Sequence, residues 1–407
     1  MYTPEKTPGI RTKDGNVKIF PTLLLTLYII AASVYSSVTL LVGSVLPSEY
    51  FTLLLSVAMP FIGIAVCAKL TASIKPLIPF CIIAAVLLFI GADIRVSSAI
   101  AVLMTLFAAA AYLLRNKFLW LTLLASAASV AITYYLTESV LVSVASIAFI
   151  PISVALYLSF EKKQQRVSAV CSMSATLGVT VALLLVAFIY TLEGSISLDI
   201  LRTYSEALRE ELIVTVTDAL VAASAQLEST LSTADALSVT TAVVTLAFNL
   251  FPAIAAILLF IISYITHSLY ISVISHTVDD KKDIIHAISF KMSVTSAILF
   301  LVAFFAALIL DYEGEGLYAT VAQNIYIILF PGLSLVTFGF IGSISKKKGA
   351  SCLTTLVYLA MFGLILFFPG VAYEIAAGII FVSAFVGSVL VIIAAVKAKS
   401  DNNNDKK

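Results

Sequence analysis

His267, His276 and His286 are the chain's only histidines, and Asp279, Asp280 and Asp283 lie among them. Imidazole and carboxylate groups can share a divalent metal. Spacings of nine and ten residues, however, put no ligand set on one helix face. The stretch therefore reads as a solvated inner loop, and no metal site is expected. Cys67, Cys81, Cys171 and Cys352 form no CxxC pair and read as small apolar side chains near inner helix ends. The chain has no GxxxxGK[ST], HExxH or GxSxG, so neither a phosphate loop, a zinc protease helix nor a nucleophile elbow is expected. Ionisable groups are nearly missing from the apolar runs, since Asp93, Arg95, Glu138 and Glu374 all fall near their ends. That pattern speaks against a carboxylate proton relay and against acid–base catalysis within a membrane. The reading is therefore of a non-enzyme that holds no cofactor.

The remaining chemistry lies in polar residues beside helix breakers. "AFNLFPAIAA" places Asn249 three residues before Pro252, and "AQNIYIILFPGLSL" places Gln323 and Asn324 ahead of Pro331 and Gly332. Pro60, Pro79 and Pro151 interrupt earlier runs. Proline frees a backbone carbonyl, and such breaks persist where protein or a watery cavity satisfies it. Two readings stand: simple kinks, or the discontinuous helices that build substrate sites in transporters. On the second reading Asn249, Gln323 and Asn324 supply hydrogen bonds while Pro252, Pro331 and Gly332 shape the cavity.

The elements that must position these residues are membrane helices. Of 407 residues, 61% are hydrophobic and 12% charged, against roughly 25% charged in an ordinary soluble domain. Apolar runs without alternation lie near 21–43, 51–69, 76–92, 96–114, 118–136, 139–160, 167–192, 238–265, 285–310, 318–343, 351–368 and 371–396. Most are long enough to cross a hydrocarbon core of about 30 Å. The fold class is all-α, a polytopic bundle of about twelve spans, or ten if 76–114 dips and returns. Its sections are an inner tail over 1–20, about seven spans over 21–192, an outer segment over 193–237, about five spans over 238–397, and a disordered inner tail over 398–407. The basic first twenty residues precede a run that lacks a small-residue cleavage site, which reads as a retained helix. With both termini inside, 21 of the 24 Lys and Arg residues fall in inner loops and only Arg95, Arg202 and Arg209 outside. The positive-inside rule sets that orientation, in the cytoplasmic membrane.

The outer segment opens "LDILRTYSEALREELIVTVTDALVAASAQLEST" at Leu198. Leu201, Tyr204, Leu208, Leu212, Val216 and Leu220 recur every three or four residues, an amphipathic helix, with Glu206, Arg209, Glu210 and Asp218 away from that stripe. Either it lies on the outer leaflet or bundle, or it caps an outward-facing cavity.

"VTLAFNLFPAIAAILLFIISYITHSLY" and "NIYIILFPGLSLVTFGFIGSISKKKGASCLTTLVYLAMFGLILFFPGVAYEIAAGII" resemble the middle and closing regions of the YybS-like membrane proteins, a bacterial family of unknown function. "MPFIGIAVCAKLTASIKPLIPFCIIAAVLLFIG" resembles their paired early helices. That family is distantly similar to the substrate-binding components of energy-coupling-factor transporters. The resemblance implies an outward pocket, with Asn249, Pro252, Asn324 and Gly332 at matching positions. It also implies a separate coupling membrane subunit and ATPases as partners. Those components dock their coupling subunit through small residues on the first helix, matched here by Ala32, Ser33, Ser36 and Ser37. The expectation is a transport component taking a small, largely neutral or apolar ligand, with the lipid bilayer and no nucleic acid as its surroundings. The alternative is a non-enzymatic scaffold for envelope, division or sporulation proteins.

Overall fold

The computed structural model describes residues 18–43, 49–71, 93–226, 232–275, 283–284, 287, 290–312, 316–344 and 371–404. The runs expected over 76–92 and 351–368 lie outside them, as do Pro79, Cys81, Cys352, His276, His286, Asp279 and Asp280. The described elements are α1 (Ile19–Val42), α2 (Glu49–Thr71), α3 (Ile94–Arg115), α4 (Leu119–Thr137), α5 (Val140–Ala145), α6 (Phe149–Glu161) and α7 (Arg166–Glu193). They continue as α8 (Leu198–Gln226), α9 (Thr233–Asn249), α10 (Phe251–Ser275), α11 (Val294–Tyr312), α12 (Gly316–Ile344) and α13 (Val371–Asn404). Nine described stretches are long and apolar enough to cross a membrane. The protein is an all-helical, multi-pass membrane protein.

Which side chains are buried supports that reading. Leu23, Leu27, Leu54, Phe61, Trp120, Leu124, Val179 and Leu183 are exposed, whereas Ser33, Ser36, Ser98, Thr105, Ser129 and Ser153 are buried. In water such an outer surface would be one large apolar patch. In lipid, helices gain nothing by hiding leucine, so small and hydroxylated residues line the contacts.

Two compact units make up the chain. One comprises Met1–Leu184, Leu258–Val294 and Gly332–Lys407, the other Leu185–Ile257 and Thr295–Pro331. Their boundaries fall inside α7, α10 and α12 and after the first residue of α11.

In the first unit α3 is the central helix and packs against α1, α2, α4 and α6. Its run Ala108–Ala111 is fully buried, and alanine there lets neighbouring backbones approach closely. Hydroxyls tie the neighbours in. Tyr28 shares a hydrogen bond with Thr105, and the Tyr35 hydroxyl meets Ser98 at 2.8 Å and Ser56 at 3.2 Å. Gly63 is needed at this contact, because a Cβ there would lie 2.5 Å from the Tyr28 hydroxyl and 2.7 Å from Thr105 Oγ1. The run expected over 139–160 is broken at 146–148, which leaves Pro151 in the first turn of α6, where no N–H is missed. At the break Ile150 N bonds to Ile147 O instead of Ser146 O, and the Ser33 hydroxyl donates to the freed Ser146 carbonyl at 2.8 Å.

In the second unit α8 packs on α9. The apolar stripe is not the packing face: Tyr204 and Leu208 are 40% and 52% exposed, and Leu212 and Val216 are also exposed. Thr217 and Ser224 are buried instead, and Arg209, expected on the polar face, donates to Thr245 Oγ1 at 2.8 Å. The physical reason lies in the partner helix, whose buried residues Ala236, Thr240 and Val244 are small and whose Thr241 and Thr245 carry hydroxyls. Serine, threonine and a single guanidinium match that surface better than leucine does. Where α8 begins, the Tyr204 hydroxyl donates to Glu193 Oε1 at 2.5 Å, and that hydrogen bond holds the phenol above its ordinary pKa range.

Candidate functional site

The run expected as one helix over 238–265 is two, α9 and α10, separated at Leu250. Pro252 stands in the first turn of α10, where helix N–H groups lack intrahelical partners in any case. In an unbroken helix Ala253 N would donate to Asn249 O. Here the Asn324 carboxamide is inserted between them. Its Oδ1 accepts from Ala253 N at 3.0 Å and its Nδ2 donates to Asn249 O at 2.9 Å. The second Nδ2 proton goes to Thr320 O, also at 2.9 Å. A side chain placed in the helical ladder is a recognised cause of a sharp bend. Both amide protons of Asn324 are thereby used, so it positions the break and has no donor left for a ligand.

The break shapes a cleft of about 470 Å³ lined by Leu246, Asn249, Asp311, Gly316, Leu317, Ala319, Thr320 and Gln323. Two of the residues singled out from sequence, Asn249 and Gln323, thus meet across it. Asp311, from the end of α11, is the addition sequence reasoning missed. Nothing in its local sequence ties it to Asn249, which lies 62 residues earlier. Phe300 and Phe304 on α11 clasp Tyr326 on α12 edge to face, at 6.3 and 5.6 Å between ring centroids. That clasp fixes the two helices whose ends form the wall. The polar lining comprises two carboxamides, one hydroxyl and one carboxylate, set among Leu246, Leu317 and Ala319. It can accept and donate hydrogen bonds to a small molecule but offers no nucleophile–base pair.

The other expected positions fall elsewhere. Pro252, Pro331 and Gly332 are not among the walls. Pro331 and Gly332 are buried within α12, and a Cβ on Gly332 would meet the Met292 thioether at 3.1 Å. Ala32, Ser33, Ser36 and Ser37 are all buried within the first unit, with Ser36 reaching the Ala99 carbonyl at 3.5 Å. The small-residue stripe of α1 is therefore covered by the chain's own helices. His267, expected in a solvated loop, lies on α10 and is 1% exposed. Cys67 is buried as expected, but Cys171 is exposed on α7.

No family model, curated protein or solved structure matches this chain.

Proposed function

We propose that the chain is a membrane-embedded transport component that captures a small ligand in the cleft beside the α9–α10 break. The observation behind this reading is the convergence of Asn249, Asp311, Thr320 and Gln323 from three helices on one volume of about 470 Å³. Sites for small molecules are typically concave, largely apolar and furnished with a few placed polar groups. Asp311 refines the ligand class expected from sequence. The ligand is small and uncharged or weakly cationic, and it presents hydrogen-bond donors to the carboxylate and the carboxamide oxygens. Energy for uptake comes from separate coupling and ATPase subunits, as the resemblance to the energy-coupling-factor components implies.

The test is purification of the full chain in mild detergent, followed by mass spectrometry of retained small molecules and co-purifying proteins. Gln323→Ala and Asp311→Asn should each lose the retained ligand by roughly tenfold or more, the scale of one hydrogen bond to a charged or buried group. Both should leave the melting temperature unchanged, because neither side chain is needed to hold the helices. No retained ligand from wild-type protein in ligand-replete cells, with uptake unaffected by both variants, would sink the reading.

The exposed stripe Tyr204, Leu208, Leu212 and Val216 on α8 supports a second reading, the scaffold, in which this face docks an envelope protein. On that reading Leu208→Ser should abolish co-purification of the partner while Gln323→Ala leaves it intact. A transport component keeps its partners in both variants and loses the retained ligand in Gln323→Ala.

A further inference from the structure

Away from the cleft, in the first unit, two arginines stand against aromatic rings where α3, α6, α7 and α10 supply side chains to one neighbourhood. The Arg166 guanidinium lies 5.0 Å from the Tyr264 ring centre and donates through Nη1 to the Tyr264 hydroxyl at 3.1 Å. Arg115 lies 4.9 Å from the centre of Phe160, whose ring in turn meets Tyr270 edge to face at 6.4 Å. Tyr264, His267 and Tyr270 follow one another at intervals of three residues on α10. At about 100° and 1.5 Å per residue they span an arc of about 120° and a rise of about 9 Å, with His267 in the middle. His267 is within electrostatic range of Arg166, and Tyr270 of Arg115.

What this neighbourhood lacks points to a ligand. Arg115 Nη1, Arg166 Nε, His267 Nδ1 and the Tyr270 hydroxyl are buried atoms with no hydrogen-bond partner among the described residues. His267 and Tyr270 are 1% and 0% exposed. A buried polar group left unsatisfied is strongly unfavourable, and the two half-buried arginines beside His267 and Tyr270 have no counter-charge among the described residues. Among the described residues no carboxylate comes within 4 Å of either guanidinium. Asp283 is engaged by Lys163 at 2.9 Å. Glu161, within range of Tyr270, is exposed and bonds to neither arginine. Water could satisfy the donors but would not balance two positive charges.

We propose that Arg115, Arg166, His267 and Tyr270 form a binding site for a phosphate ester. Guanidinium forks match phosphate oxygens in pairs, and a histidine and a tyrosine hydroxyl add single donors. Both arginines fall at helix ends that the charge pattern puts on the cytoplasmic side, where basic pockets between membrane helices take phosphorylated headgroups. The same chemistry suits a soluble phosphate ester, so the test separates the two sources.

The full chain is melted in detergent with increasing inorganic pyrophosphate, and in phosphatidylcholine nanodiscs with and without phosphatidic acid. A saturable rise in melting temperature is expected with at least one probe. A response to pyrophosphate places the ligand in the aqueous pool, and a response to phosphatidic acid alone places it in the bilayer. Arg166→Gln should raise the half-saturating concentration roughly tenfold to a hundredfold, the scale of a charge-assisted hydrogen bond. Arg166→Lys, which keeps the charge and loses the fork, should do so by less. Tyr270→Phe removes a single hydroxyl, keeps the ring that meets Phe160 edge to face, and should weaken binding several-fold. No response to either probe, or responses unchanged in these variants, overturns the proposal.

Discussion

Gly387→Val should be among the most damaging single substitutions in the protein, destabilising it by about 3 kcal/mol or more, at or above the upper end for overpacking. A Cβ on Gly387 would fall on the Leu333 carbonyl and 2.9 Å from Thr337 Oγ1. The obstacle is mostly backbone, so no rotamer change on the neighbour relieves it and α13 must move away from α12. That separation also breaks two bonds. Ser334 Oγ donates to Ile380 O at 3.1 Å and Thr337 Oγ1 to Ser383 O at 2.6 Å, each of which needs the close approach that Ser383 and Gly387, four residues apart, permit. Interhelical hydrogen bonds in membranes contribute about 0.6 kcal/mol each, so the backbone collision outweighs them. Insertion should proceed normally, since α13 stays apolar, and the defect should appear as a lower melting temperature and loss of monodispersity in detergent. Gly378→Ala on the same helix is the control. Nothing lies within 4 Å of the Cβ it adds, and alanine in place of a helical glycine is expected to stabilise by roughly 0.5–1 kcal/mol. Equal damage from the two would mean that the α12–α13 contact is not what Gly387 serves.

How far the fold was legible depends on the range over which each determinant acts. Long apolar runs mark membrane helices by themselves, and most of the expected boundaries fall within a few residues of α1, α3, α4, α7 and α12. Helix breaks were half legible. Pro252 signals one, but its position at Leu250 depends on Asn324, 71 residues beyond Ala253. Likewise the stripe Ala32, Ser33, Ser36 and Ser37 announced close packing and left the partner open. The nearby helices of the same chain occupy it, with Ser33 satisfying a carbonyl 113 residues away. Hydropathy shows that a face must be covered and not by what.

The α8 stripe and His267 show the same gap from the other side. Periodicity gives a helix over α8 but leaves open whether its apolar stripe meets lipid, the bundle or a cavity. The neighbour here is α9, with a small and hydroxylated surface, so Arg209 and Thr217 face it. His267 is expected in a solvated inner loop because the apolar run legible in the sequence ends near 265. The apolar residues Ile265, Leu269, Ile271 and Ile274 continue past it and are buried, which draws the histidine into the helix with them. The two arginines escape notice in the sequence because loop arginines ordinarily report orientation, and only the packing distinguishes a solvated one from one held against a ring.

The largest functional effect is expected at Asn324, through geometry rather than contact with a ligand. Asn324→Ala removes one acceptor and one donor that together replace the missing ladder bond between Ala253 and Asn249. If the break persisted, the N–H of buried Ala253 would be stranded at about 1–3 kcal/mol, whereas the carbonyl of exposed Asn249 could turn to other partners. The chain can avoid that by straightening, so that Ala253 N donates to Asn249 O directly, and the cleft wall carrying Asn249 then turns away from Gln323. Either route should abolish ligand retention, while the melting temperature falls only as far as the break persists. Asn324→Asp sharpens the test. Its oxygens can still accept from Ala253 N, but an ionised carboxylate cannot donate to the Asn249 carbonyl, so this variant too should lose ligand retention. Pairing Asn324→Ala with Pro252→Ala restores an N–H and lets α9 run into α10 as one helix. Stability should recover while ligand binding stays lost. Recovery of both would show that the cleft does not depend on the break, and that the inserted carboxamide is only a local repair of the backbone.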